Sequence, residues 1–193
     1  MRITAEYKFA LSAEHARQSN WGASVIKYAR GDIMSLAERP YIKTVLDFGC
    51  GQGELKTFLR ELYPHIEVTE YDPGIPGKDK YPSGQFDLVF SCDVLEHVET
   101  EAVDDTIARL ADSTRYVLYN NIACYPTRNT FAEGPYQGQD LHLTIRTPDE
   151  WRRTFYDALA FDEKMVEQEF RSACKRRQGR VRDRCTILYE RVG

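Results

Sequence analysis

The chain has 193 residues, of which 42% are hydrophobic and 29% charged, with a formal net charge of −4, the make-up of one ordinary globular domain with room for a core. No apolar run approaches the ~20 residues that cross a bilayer, and the opening MRITAEYKFALSAEHARQSN lacks the apolar stretch of about 7–15 residues of a secretory signal. A cytoplasmic protein with no membrane partner is expected, and its five scattered cysteines, which form no CxxC pair, argue for reduced thiols over a disulfide framework or a structural zinc site.

Residues 1–40 read as an N-terminal helical cap and 41–193 as the core of a single domain. From Trp21 to Arg39, Val25, Ile26, Ala29, Ile33, Leu36 and Ala37 fall at helical spacing, and Pro40 closes the pattern. A short strand at 42–47 runs into a glycine turn, and Leu55, Phe58, Leu59 and Leu62 then mark one face of a helix that Pro64 ends. IEVTEY (66–71), FDLVFS (86–91) and RYVLYNN (115–121) read as strands, with a helix carrying Val103, Ile107, Leu110 and Ala111 before the last of them. Thr147-Pro148-Asp149-Glu150 starts a further helix, with Thr147 as cap, Pro148 at the first helical position and Glu150 completing a capping box. Trp151, Phe155 and Leu159 form its buried face, and about 163–174 and 181–191 read as two strands joined around Gln178-Gly179. Strands alternating with helices predict an α/β fold with a mostly parallel sheet, and the final hairpin adds an antiparallel pair at one side.

The glycines at 49, 51 and 53 allow a tight turn and a close backbone approach to a ligand. A dinucleotide site of the hydride-transfer kind needs its third glycine at position 54, which is Glu54, and an acid at a helix N-terminus suits a pyrophosphate badly. A phosphate loop ending in Gly-Lys-Ser or Gly-Lys-Thr is absent as well.

VLDFGCGQG (45–53), EYDPG (70–74) and FDLVFSCDVLEHV (86–98), in that order, resemble three motifs of the class I S-adenosylmethionine-dependent methyltransferases. The resemblance implies a Rossmann-like doubly wound sheet and S-adenosyl-L-methionine as cofactor. It places Asp47, Gly49, Cys50 and Gly51 against the cofactor, and it puts Asp72 with Pro73 at the ribose hydroxyls, 21 residues after Gly51. It also lays the strand-end backbone of Asp93 and Val94 along the methionine part. Only 14 positions separate Asp72 from Phe86, where the family fits a helix and another strand, so the sheet is expected to be reduced between the second and fourth family strands. The family's adenine-recognising acid then has one candidate in that Pro- and Gly-rich loop, Asp79.

For the chemistry, His142 in the long loop after the last parallel strand is the first candidate base and His97 the second, while His15 and His65 read as surface residues. Asp93-x-x-Glu96-His97 with His142 also resembles the Glu-x-x-Glu-His metal set of small-RNA 2′-O-methyltransferases, shortened by a methylene at its first acid, and could hold Mn or a similar ion. Residues 171–184 hold seven Lys or Arg and one acid, so nucleic acid is a possible partner through the hairpin at 175–184. The function expected is methyl transfer to an oxygen or nitrogen of a small metabolite or nucleotide-like acceptor. The alternatives are a metal-dependent RNA 2′-O-methyltransferase and a catalytically silent cofactor-binding or partner-binding module.

Overall fold

The structure, a computed structural model, describes residues 3–18, 25–177 and 180–193. Its strands are β1 (Thr44–Phe48), β2 (Glu67–Tyr71), β3 (Phe86–Cys92), β4 (Thr114–Ala123), β5 (Met165–Arg177) and β6 (Arg180–Arg191), and they form one six-stranded sheet in the order β2-β1-β3-β4-β6-β5. The first four are parallel, and β6 pairs antiparallel with both β4 and β5. The chain leaves β1 towards β2 on one side and returns to β3 on the other. Strand order therefore reverses between β1 and β3, and ligands of open α/β sheets sit in the crevice at such a point.

Both faces of the parallel part are covered, which is why its strands read as continuous apolar runs rather than alternating ones. Leu46, Val89 and Leu118 project to one face, under α4 (Val103–Asp112) and α5 (Pro148–Leu159). Their chain neighbours Val45, Leu88, Phe90, Val117 and Tyr119 project to the other, under α2 (Val25–Ala37) and α3 (Glu54–Leu62). The Thr147 capping box forms as expected, its hydroxyl accepting from the Glu150 N–H and the Glu150 carboxylate accepting from the Thr147 N–H at 2.7 Å. It aims Trp151 and Phe155, each 0% exposed, into the core, where Phe155→Ala should cost about 3–5 kcal/mol.

Between Asp72 and Phe86 no helix or strand forms, so β2 is the sheet edge and the reduction expected from the short spacing is present. Gln178-Gly179 and the start of the helix expected from Trp21 lie outside the described residues.

An additional helix precedes α2. In α1 (Ala5–Arg17), Thr4 caps the N-terminus by accepting from the Tyr7 N–H at 3.1 Å. The helix lies across the carboxyl ends of the strands and is tied to three separate segments. Lys8 pairs with Asp79 at 2.6 Å and the Ser12 hydroxyl donates to the Gly74 carbonyl at 2.8 Å. Thr4 donates to Glu99 at 2.8 Å, and Glu14 accepts from the Ala132 N–H at 2.8 Å. Gly74 makes the docking possible, because a Cβ there would stand 2.7 Å from the Leu11 Cβ.

Candidate active site

A cavity of about 320 Å³ opens at the reversal of strand order, within the usual range of small-ligand sites. Gly49 leaves β1 with φ +75°, and a Cβ there would lie 2.4 Å from a Val94 methyl at the end of β3. A side chain at 49 would overlap Val94 between the two strand ends, so glycine is required here on steric grounds as well as by conformation. Gly51 and Gly53 also have positive φ, and the turn enters α3 with Glu54 in the first helical turn.

Asp72, at the end of β2, is 5% exposed and lines the cavity. Its Oδ2 accepts from the Gly51 N–H at 3.1 Å and its Oδ1 from the Gly74 N–H at 2.9 Å, so one carboxylate braces both the glycine turn and the loop that follows β2. Asp47 lies beneath the turn, 2% exposed, with its Oδ2 lacking a hydrogen-bond partner. Burial, with Glu70 nearby, pushes its carboxyl up to about 8.

Of the cofactor residues expected from sequence, Gly49, Asp72, Pro73, Asp93 and Val94 line the cavity, while Asp47, Cys50 and Gly51 form the layer behind it. Asp79 is outside. Its side chain is 36% exposed and ion-paired with Lys8, because the short loop after β2 turns back at Gly77 and Lys78 and carries the acid to the outer face of α1. In its place the cavity receives His15, expected as a surface residue, whose Nε2 stands 3.3 Å from Asp72 Oδ1 with a side chain 11% exposed. The signal that finds it is the spacing of Ile3, Tyr7, Leu11 and His15, four residues apart, which places one stripe of α1 on the cavity wall. His65 is exposed, as expected.

The far end of the cavity is built by a turn at Leu95–His97 and by the long loop after β4. His97 Nδ1 lies 2.8 Å from the Leu141 carbonyl and His142 Nδ1 lies 2.5 Å from the Tyr125 carbonyl. A carbonyl only accepts, so both Nδ1 atoms carry the proton and both Nε2 atoms keep their lone pair. Burial lowers both imidazoles, that of His142 to about 4 with His97 adding to the effect, so both are neutral at neutral pH. The rings meet edge to face at 4.7 Å between centroids. Glu96 is fully buried, with Oε1 accepting from the Ala123 N–H at 2.9 Å and Oε2 without a hydrogen-bond partner. Burial and the neighbouring Asp93 raise its carboxyl well above the usual range.

Ligand atoms of Glu96, His97 and His142 lie within 4.8 Å of one another. Asp93, the fourth residue of the set expected from sequence, is not in that group. It adopts φ +60° and pairs with Arg184. Burial alone would raise Asp93, but the Arg184 guanidinium holds it below the usual carboxylate range. Arg184 was not singled out from sequence, being one charge among many in the basic run.

Comparison with known proteins agrees with this geometry. A family profile described as a methyltransferase domain matches residues 15–161. A stretch of 67 residues is 34% identical to a malonyl-[acyl-carrier protein] O-methyltransferase of Anoxybacillus flavithermus, covering 34% of this chain and 26% of that protein. The chain thus matches about a quarter of the length of this curated relative. Among solved structures, the plantazolicin methyltransferase BamL superposes with a TM-score of 0.65 at 11% identity, over 95% of each chain. The N-methyltransferase NodS of Bradyrhizobium japonicum superposes with a TM-score of 0.57 at 14% identity, over 97% of this chain and 100% of that one. No helix among the described residues is long and apolar enough to cross a membrane. The glycine turn, the acid at the end of β2 and the profile match across most of the core together assign the chain to the class I S-adenosylmethionine-dependent methyltransferase family.

Proposed function

We propose that the protein transfers the methyl group of S-adenosylmethionine to an oxygen or nitrogen of a small acceptor. The observation that carries this reading is the pair of neutral imidazoles of His97 and His142 in the same cavity as Asp72. The cavity-lining Asp72, its remaining lone pairs available beside the Gly51 and Gly74 N–H bonds, supports a role in accepting from ribose hydroxyls, and the unpartnered Asp47 Oδ2 suits a nearby cation. The cofactor supplies an activated methyl on a sulfonium, and displacement there needs alignment of the nucleophile more than acid or base strength. The chain contributes that alignment through the loop carrying His142, anchored at the Tyr125 carbonyl, and α1 forms one wall of the cavity. The Nε2 of His142, whose Nδ1 proton is held on the Tyr125 carbonyl, takes the acceptor's proton as the new bond forms.

Support for a small acceptor comes from neighbours of the same fold. Besides BamL, solved with a desmethyl plantazolicin analogue, a Burkholderia thailandensis methyltransferase, solved with 1,6-didemethyltoxoflavin, superposes with a TM-score of 0.53 at 16% identity. The deciding assay is turnover of methyl-labelled cofactor against fractionated metabolites and, in parallel, RNA pools. Label entering a low-molecular-weight fraction is expected, and label entering RNA alone would overturn the small-acceptor reading.

A second reading keeps the reaction and adds a divalent metal. Glu96, His97 and His142 present one oxygen and two imidazole nitrogens to a common point, with both Nδ1–H groups fixed on carbonyls, the outer arrangement that orients histidine ligands. The unpartnered Glu96 Oε2 fits such an ion. An ion there would act as a Lewis acid on an acceptor oxygen.

A further inference from the structure

We infer that Arg182, with Lys175 beside it, is the clamp for an anionic group, carboxylate or phosphate, carried by the methyl acceptor, an inference that rests on the methyl-transfer reading above.

Arg182 and Arg184 stand two apart on β6 and so project to the same face of the strand, and that face borders the cavity. Arg184 is fully engaged. It pairs with Asp93, donates to Asn121 Oδ1 at 3.0 Å and lies 3.8 Å from the centroid of the Tyr28 ring. Arg182 lines the cavity with Tyr125, Thr127 and Asn129. Its guanidinium sits 5.5 Å from the Tyr125 ring centroid, and no carboxylate lies within ion-pair distance of it among the described residues. A planar fork of donors held over an aromatic ring, at a cavity wall, is arranged for a planar or tetrahedral anion.

The strand register adds an independent argument. Lys175 is the direct cross-strand partner of Arg182, exposed and without an ion pair among the described residues. Like charges directly opposite in an antiparallel pair are destabilising, so this pairing makes sense where an anion completes it. Nearby acids do not complete it. Asp93 is neutralised by Arg184, and Asp140 is held by the N–H groups of Thr127, Arg128 and His142. Asp183, next in the chain, projects to the opposite face.

Tyr125 connects Arg182 with His142: its carbonyl holds His142 Nδ1 at 2.5 Å and its ring carries Arg182. Arg182 thus brings one charge of the basic run onto the cavity wall.

Calorimetric titration of the protein saturated with S-adenosylhomocysteine, using acetate and inorganic phosphate in turn, tests this. Wild type should bind at least one of the two in the millimolar range. Arg182→Gln should weaken that binding at least tenfold, Arg182→Lys less, and Lys175→Gln two- to threefold, each with S-adenosylhomocysteine affinity unchanged within twofold. Absence of anion binding by wild type, or its retention in Arg182→Gln, would overturn the inference, as would a loss confined to Arg176→Gln/Arg180→Gln. Wild type that binds no S-adenosylhomocysteine would instead defeat the methyl-transfer reading, and the same anion titrations without it still decide the clamp.

Discussion

Replacing Asp47 with Asn should stabilise the empty protein and weaken cofactor binding, because the acid is held in a place that suits its charge only when a cation is present. The fold raises this carboxyl from 3.8 to about 8. The folded state therefore holds the proton more tightly than the unfolded one. Between pH 4 and pH 8 the unfolded chain releases it and the folded chain does not, so this group's contribution to stability falls as pH rises and levels off above pH 8. A shift of that size, at about 1.4 kcal/mol per pH unit, sets a ceiling of roughly 6 kcal/mol. Relaxation and water entry reduce it, and roughly 2–4 kcal/mol is the expected gain for Asp47→Asn at pH 8.5, with almost none at pH 4.

Cofactor binding should reverse the balance. A cation brought near Asp47 drives off its proton, so S-adenosylmethionine binding at pH 7 should release close to one proton. Titration in two buffers of different ionisation enthalpy measures that release directly. In Asp47→Asn the proton release should vanish and affinity should fall by about 1.5–3 kcal/mol, the range of a hydrogen bond to a charged group. Equal proton release and equal affinity in the two proteins would refute the assignment of Asp47 to the cofactor, and a variant less stable than wild type at pH 8.5 would refute the strain argument.

Asp72→Ala should lower S-adenosylhomocysteine affinity by roughly 1.5–3 kcal/mol for each ribose hydrogen bond lost, read by calorimetry, and should lower the melting temperature, since Asp72 also accepts from Gly51 and Gly74. With His142 lowered to about 4, kcat/KM for the acceptor at saturating cofactor should stay level from neutral pH down to about 5 and fall only below, whereas a limb near 6.5 would exclude His142 as a buried neutral base. If Glu96, His97 and His142 hold a metal, a chelator should abolish turnover and added Mn should restore it, and full turnover in chelator would end that reading while leaving methyl transfer intact. Gly49→Ala should destabilise by about 2–4 kcal/mol through positive φ and overlap with Val94. Combining it with Val94→Ala should cost less than the two single changes added together.

The sheet was legible because its periodicities are local. Val45 to Phe48, Phe86 to Ser91 and Tyr116 to Asn121 are apolar runs of strand length bounded by turn residues, and the capping box before Trp151 states the start of α5 in four letters. The glycine turn and Asp72 were legible for the same reason, since each is a backbone requirement written at fixed spacing. Asp79 misled because an acid in a loop carries no signal of direction. The sequence shows that the loop after β2 is short, but only the fold shows that its turn at Gly77 delivers Asp79 to Lys8 rather than to the cavity.

From sequence His15 reads as a surface residue and Arg182 only as one of the hairpin arginines that could contact a nucleic acid, and the reason bears on how the site works. Each lies on an element whose own core contacts say little about the cavity, and each arrives there through docking. α1 reaches Asp72 only because Gly74 admits Leu11 at close range. Arg182 reaches the wall only because β6 inserts antiparallel beside β4, in register with Ile122 and Ala123. The two docked elements line one cavity: α1 brings His15 to Asp72 and Tyr7 to the His97 carbonyl, and β6 brings Arg182 beside Tyr125. On the proposed reading, the parallel sheet, its glycine turn and α1 form the cofactor side, while the hairpin supplies the group that selects what is methylated. Changes on α1 near His15 should therefore move cofactor affinity, changes at Arg182 should move acceptor affinity, and a variant at either position that moved both equally would count against this division.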